Sequence, residues 1–428
     1  MPSSAKRPAR ALFGPIAVAY AFSLCFGDAF TLGRWMPVPL AVLLFGMCFV
    51  FWSWLLKGRI AFAWPPFDVR DLLLIGYVSA LGLGLPLSGG IQPKNVNHFL
   101  AYTGVVCVYY FFVKLLFAAE GTWVRSELRL RKTLVASVML VAGYAVLEFV
   151  DANTAGIGVR SLVRFPTEAQ TYKPLFLGFV RARGFMAESG FLALYLNLLA
   201  PMSLVFLWRA AGWLASLSFL ALVGAALGVT FSVAGVVFLG VGIVVAVIVY
   251  LYDRRIVLTR VRTVVALTLA SAALGIVAVA TPVQVWTPVI AKLTLASESS
   301  SGPRLAAWRD ALNSAAEHPV FGTGIGSTAV ETGRGVISFY LTTLKEAGIP
   351  ALVFVLLFLS LVFRTILVLP RSAPYKYAYV ASFVAAICHY AVVSDIWYPW
   401  LWFLCAFVSA EQRLASVVRA RGGADPAL

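Results

Sequence analysis

The sequence predicts an all-α polytopic membrane protein. It should have about twelve transmembrane helices and two basic outer loops, the later loop holding an interfacial amphipathic helix. Three observations lead there. Of 428 residues, 61% are hydrophobic and 12% charged, with a mean hydropathy of +0.89, whereas a soluble domain carries about 25% charged residues. Apolar runs recur at about 18 to 22 residues, the length of a spanning helix. The Lys and Arg residues fall mainly on alternate connections. A barrel would instead show alternating strands of about ten residues.

Taken in order, the apolar runs cover 11–27, 36–56, 72–89, 99–119, 133–150, 190–208, 210–230, 232–252, 263–281, 348–369, 377–394 and 397–412. The first follows Lys6-Arg7-Pro8-Ala9-Arg10 and ends at Gly27-Asp28 without an A-x-A site, so it reads as an uncleaved helix. The runs 210–230 and 232–252, from Ala210 to Tyr252, form one long apolar stretch divided by Gly228-Val229-Thr230-Phe231-Ser232.

The net charge of +16 would suggest nucleic acid in a soluble protein. Here it reads as positive-inside bias, and no nucleic-acid partner is expected. With the N-terminus cytoplasmic, one set of connections carries Arg70, Arg125, Arg129, Arg131, Lys132, Arg254, Arg255, Arg371 and Lys376, among others. Both termini then lie inside. The basic residues left outside gather in two loops. Loop one, about 151–189, holds Arg160, Arg164, Lys173, Arg181 and Arg183. Loop two, about 282–347, holds Lys292, Arg304, Arg309, Arg334 and Lys345. They are either ordinary solvated loops or two arms closing on an anionic ligand at the membrane surface. The rest of the chain reads as a single integral membrane domain, 1–428, with no repeat or linker to divide it.

Loop two contains GPRLAAWRDALNSAAEHPVFGTGIG, residues 302–326. Pro303 suits a first helical turn and Pro319 ends the helix, giving 303–318. Leu305, Trp308, Leu312, Ala315 and Ala316 make one apolar stripe flanked by Arg304 and Arg309. Such a helix is too short and polar to span, and lies in the interface. Its guanidiniums sit at headgroup depth, where they either hold a phosphate bidentately or snorkel to lipid. Gly322, Gly324 and Gly326 permit a tight turn; the pattern is neither a P-loop nor a dinucleotide fingerprint.

Other groups are sparse. The five cysteines lie in apolar runs without metal-type spacing. No Asp-x-Asp pair in the outer segments offers a metal site, so neither metal nor cofactor is expected. The histidines, His98, His318 and His389, read as structural. Glu188 follows Arg181 by seven residues, and Glu346 sits where loop two enters a span. Either pairs with a nearby arginine or accepts a proton, with Glu188 preferred as base. Lys114 and Glu148 lie in or at the edge of spans, where the lysine can snorkel.

These residues resemble the O-antigen ligase and Wzy-type polymerase superfamily. Arg304, Trp308, Pro319, Gly322, Gly324 and Gly326 fit its outer-loop pattern R-L-x-x-W followed by P-hydrophobic-x-G-x-G. Arg181, Gly184 and Phe185 fit its upstream Arg-x-x-Gly-aromatic segment. Tyr340, Leu341, Leu344, Glu346 and Gly348 fit Y-L-x-x-L-x-E-x-G. The resemblance implies a GT-C-type glycosyltransferase of the bacterial inner membrane that uses undecaprenyl-pyrophosphate-linked oligosaccharide at the periplasmic face. It would make exopolysaccharide or the O-antigen of lipopolysaccharide. The pyrophosphate would be held by Arg181 and Arg304, with Arg183 and Arg309 beside them. A chain-length regulator and export machinery are the protein partners it implies. Two positions depart from the family: Val336-Ile337-Ser338-Phe339 holds no histidine before Tyr340, and Ser232-Val233 stands where many members have Ser-Arg. The missing histidine favours polymerase over transfer to lipid A-core. A transporter would place its charges nearer the bilayer midplane; a scaffold subunit of an export machine is the remaining alternative.

Overall fold

The computed structural model describes residues 7–31, 36–57, 67–87, 93–118, 122–163, 165, 175–176, 178–253, 302–328, 336, 338–371, 373, 375–394 and 396–420. The expected span at 263–281, together with Lys292 and Arg334 of loop two, lies outside them.

The described chain is an α-helical bundle. Its helices are α1 (Arg7–Ser23), α2 (Val38–Lys57), α3 (Val69–Gly84), α4 (Pro93–Gly104), α5 (Val113–Ala118), α6 (Thr122–Val150), α7 (Ser189–Val229), α8 (Val233–Asp253), α9 (Gly302–Glu317), α10 (Phe339–Val368), α11 (Lys376–His389) and α12 (Pro399–Ala420). A wider π-type turn, Val105–Phe112, joins α4 to α5 without leaving the helical path. One small antiparallel hairpin, β1 (Leu175–Phe176) with β2 (Phe179–Val180), decorates loop one. Among the described residues, five stretches are long and apolar enough to cross a membrane: Pro93–Phe117, Leu128–Thr154, Ser189–Val229, Val233–Asp253 and Phe339–Val368. The protein is an all-α membrane protein.

The 41-residue α7 would measure about 60 Å if straight, twice the hydrocarbon thickness. It turns instead at Gly212 (φ 82°, ψ −170°), backbone angles open to glycine. The return is visible at the other end. Ala182 N–H donates to the Val229 carbonyl at 3.0 Å, and Arg181 Nε donates to that of Thr230 at 2.9 Å. α7 is therefore a hairpin of two apolar arms, as the runs on either side of Ala210 predicted.

α10 begins at Phe339, nine residues before the expected 348, and breaks at Gly348 (φ 76°, ψ −175°) just before Pro350. Polar Lys345 and Glu346 made this first part read as loop. Both are buried in the structure because loop two covers them.

The core is aromatic and joined by hydrogen bonds. Trp400 Nε1 donates to the Leu24 carbonyl at 2.9 Å, and the hydroxyls of Ser137 and Tyr195 lie 2.6 Å apart. α8 and α11 cross closely at Gly242, where an added Cβ would sit 2.3 Å from the Ala381 carbonyl oxygen, the small-residue contact typical of packed membrane helices.

Charge is concentrated at the two ends of the bundle. At one end Arg131 bonds Glu411 at 2.9 Å and stacks on Tyr375, while Lys376 pairs with Asp253. Lys114 does not snorkel: its ammonium is buried 2.7 Å from Asp71 and 3.1 Å from Asp68. Seventeen positions along α6 from Arg131, or about 25 Å, Glu148 marks the opposite end, where both basic segments lie.

Candidate functional site

Loop one reaches the bundle as a gripped turn. Glu148, at the end of α6, is buried. Its Oε2 accepts the backbone N–H groups of Arg183 (3.0 Å) and Gly184 (2.7 Å), and its Oε1 lies 3.4 Å from Arg160 Nε. Gly184 has φ +62°, and Phe185 stacks on Tyr144 with ring centroids 4.5 Å apart. The Phe185 carbonyl accepts the N–H groups of Asp28 and Ala29. Asp28 answers through its side chain: Oδ2 accepts Ala187 N–H at 2.8 Å and the Tyr398 hydroxyl at 2.5 Å. The Arg183 guanidinium is buried 3.8 Å above the Phe165 ring. Arg181 is anchored to Thr230 through one nitrogen. The turn delivers Glu188 to the N-cap of α7, where its backbone carbonyl accepts Phe191 and Leu192 N–H while its side chain makes no capping bond.

Loop two supplies α9, close to the expected 303–318, packed on α10. Of the expected stripe, Ala315 is buried, together with Ala311 beside it, whereas Leu305 and Leu312 are exposed. Small alanines allow close approach to α10, leaving the two leucines on the outside. Lys345 of α10 donates to Asp310 of α9 at 2.8 Å. Arg304 is half-buried and Arg309 exposed, about 140° apart around the helix.

After α9, Pro319–Gly326 docks backbone to backbone on the break at Gly348. Thr323 and Gly324 donate their N–H groups to the carbonyls of Lys345 (2.8 Å) and Glu346 (3.0 Å), and Ile349 N–H donates to Pro319 (2.8 Å). A Cβ on Gly348 would lie 2.3 Å from the Val320 oxygen; one on Gly322 would lie 2.5 Å from the Ala347 nitrogen. The glycine pattern and the E-x-G segment are thus two halves of one joint, which satisfies the polar groups freed by the break. Buried Glu346 completes it, accepting Gly326 N–H at 2.9 Å and bonding Thr328.

The two loops meet electrically. Burial lowers the pKa of Arg304, and the charge of Glu188 works against that shift. Burial raises the pKa of Asp28; hydrogen bonds from Tyr398 and Ala187 oppose the rise, Glu188 adds to it and Arg183 reduces it. Arg183, Glu188 and Arg304 therefore share one charged corner with Asp28. Arg309 is not drawn into it, and Glu346 lies in the joint beside it. Sequence reasoning passed over Asp28, whose signal was a carboxylate closing the first apolar run. Among the described residues no group of three or more His, Cys, Asp and Glu could hold a metal ion. The described cysteines are free.

Fold and site together define a polytopic helical membrane protein with a basic and acidic corner built from two loops at one end of its bundle. Residues 217–356 match the family model of the O-antigen ligase domain, which supports the O-antigen ligase and Wzy-type superfamily for this chain. The match covers the second arm of the hairpin, α9, the glycine turn and the break at Gly348; Arg181, Arg183 and Glu188 lie upstream of it. A search of the curated proteins found no match.

Proposed function

We propose that this protein polymerises undecaprenyl-pyrophosphate-linked oligosaccharide repeats at the periplasmic face of the bacterial inner membrane. In this reading it crosses the membrane twelve times, with both termini in the cytoplasm. The observation that carries the proposal is the electrostatic influence of Glu188 on Arg304 of loop two, with Arg183 and Asp28 coupled to the same corner, at the end of the bundle where both basic loops lie.

The growing glycan on its carrier is the donor. A hydroxyl of a second lipid-linked repeat attacks the anomeric carbon, forming the new C–O bond. The bond from that carbon to the pyrophosphate oxygen breaks, and undecaprenyl pyrophosphate leaves with the electron pair. Glu188 takes the hydroxyl proton. Arg304 and Arg181, supported by Arg183, neutralise charge on the leaving diphosphate, for which a planar guanidinium offers bidentate contacts, while Arg309, exposed on another side of α9, stands outside that contact. Glu346 holds the glycine turn against α10.

The test is transfer by purified protein in proteoliposomes supplied with a lipid-pyrophosphate-linked repeat. The expected product is a ladder spaced by whole repeats, lost on Arg304→Ala. A single transfer on adding lipid A-core would favour the ligase reading, which the matched family description keeps in view. Absence of any new glycosidic bond would overturn both and favour a transporter.

A further inference from the structure

The charged corner accounts for a pyrophosphate and a proton, but not for the sugars between them. Beside it stands an aromatic group from two distant segments. Trp397, just before α12, lies 5.5 Å from the Tyr102 ring and 6.0 Å from the His98 ring, centroid to centroid, with both partners tilted by about 60°. Tyr102 is buried, whereas Trp397 and His98 are half-buried. Among the described residues, neither the Trp397 indole nor the His98 imidazole makes a hydrogen bond. The group therefore offers an aromatic surface bordered by open polar nitrogens.

Its position joins the two halves of the site. His98 packs on the glycine turn: a Cβ on Gly326 would lie 3.3 Å from the imidazole ring. That turn is held by Glu346. On the other side, Tyr398 follows Trp397 directly and donates to Asp28, whose other bond fixes Ala187 beside Glu188. Trp397 thus bridges the loop-two joint and the loop-one corner.

We infer that Trp397, backed by Tyr102 and flanked by His98, is the platform on which a sugar ring of the lipid-linked glycan stacks. A pyranose has an apolar C–H face and a rim of hydroxyls. An aromatic ring matches the first, and open ring nitrogens match the second. The inference rests on the glycosyl-transfer reading of the corner and adds the group that orients the glycan. An aromatic at this level could instead only anchor the helix at the membrane interface, and the experiment separates the two.

Full-length protein in nanodiscs is assayed as wild type, Trp397→Ala, Trp397→Phe and His98→Ala. Three quantities are read: KM and kcat for the lipid-linked repeat, the affinity for a lipid-free oligosaccharide repeat by thermophoresis, and the thermal midpoint. A platform predicts that Trp397→Ala raises KM about tenfold and weakens oligosaccharide binding equally. It predicts an unchanged kcat, a Phe variant close to wild type and a smaller rise in KM for His98→Ala. Unchanged KM and unchanged oligosaccharide affinity in Trp397→Ala overturn it; if the midpoint also falls, Trp397 is an interface anchor. Should Trp397→Ala fail to fold, His98→Ala decides, because unchanged affinity there overturns the proposal. Oligosaccharide binding that Trp397→Ala abolishes, in a wild type that transfers nothing, keeps the platform and sinks the polymerase reading instead.

Discussion

The carboxylate of Glu346 accepts the backbone N–H of Gly326 at 2.9 Å, tying α10 to the turn that follows α9. Around this bond, Gly348 breaks α10 and Pro319–Gly326 fills the break with its own backbone groups. A helix broken near a membrane surface leaves N–H and C=O groups that lipid cannot satisfy. The glycines exist so that another backbone can come close enough to do it. The joint sets the height of α9, and so of Arg304.

Gly348→Ala and Gly322→Ala should therefore destabilise the protein more than Gly212→Ala. All three glycines have positive φ, a strain of about 1–3 kcal/mol for an alanine. At Gly212 a Cβ meets nothing within 4 Å, whereas at Gly348 and Gly322 it meets backbone atoms at 2.3 and 2.5 Å. Thermal unfolding of the detergent-solubilised protein should give the largest fall in midpoint for the two joint variants. Equal falls at all three positions would contradict the close-packed joint.

Glu188 and Glu346 should separate by phenotype. Glu188→Gln is expected to cut transfer by about 100-fold or more, the scale of a lost general base, with little change in thermal midpoint. Glu346→Gln should lower the midpoint, because the buried Gly326 N–H loses a charged acceptor, at a cost of about 1–3 kcal/mol. Initial-rate assays beside melting curves on both variants check this. A stable Glu346→Gln protein without turnover would move the proton acceptor to Glu346.

Much of this was legible in the sequence. Apolar run lengths and the split near Ala210 anticipated the α7 hairpin, and Pro303 with Pro319 bracketed α9 to within a residue. What hydropathy could not show was tertiary cover. Lys345 and Glu346 look like loop residues until Asp310 and Gly326 are placed on them. Lys114 looks like a snorkelling lysine until Asp71, 43 positions earlier, is placed beside it. Asp28 gains a role only when Tyr398, 370 positions away, meets its carboxylate. Periodicity reports which face of a helix is apolar. It does not report whether that face meets lipid or another helix, which is why α9 buries Ala311 and Ala315 rather than Leu305 and Leu312.

Three of the loop arginines, Arg304, Arg181 and Arg309, should not be equivalent. Arg304→Ala is expected to abolish the polymer ladder with an unchanged thermal midpoint. Arg181→Ala should reduce both, since its Nε also bonds the Thr230 carbonyl that closes the α7 hairpin. Arg309→Ala, exposed on another side of α9, should cost little, within about threefold of wild type for a peripheral charge. Arg304→Lys should recover part of the activity, because an ammonium keeps the charge but not the fork. Product ladders from proteoliposomes, run beside melting curves, test the set. Full activity in Arg304→Ala would remove the pyrophosphate role.

At the far end of the bundle, the Asp68 cluster should make stability fall in acid. Asp68 caps α3 and bonds Arg70 and Lys114. Burial raises its pKa, but the hydrogen bond and charge of Arg70, with those of Lys114, outweigh that and lower it from 3.8 to about 2. A carboxylate held below its unfolded value binds its proton more weakly in the folded state. Its stabilisation is therefore full above about pH 4 and is lost as pH falls towards 2. Asp68→Asn removes the charge at every pH, so it should lower the midpoint at pH 7 and narrow its gap from wild type between pH 4 and 2. Melting curves of both proteins across that range decide the matter: a gap that stays constant with pH would show that the Asp68 charge contributes nothing to folding.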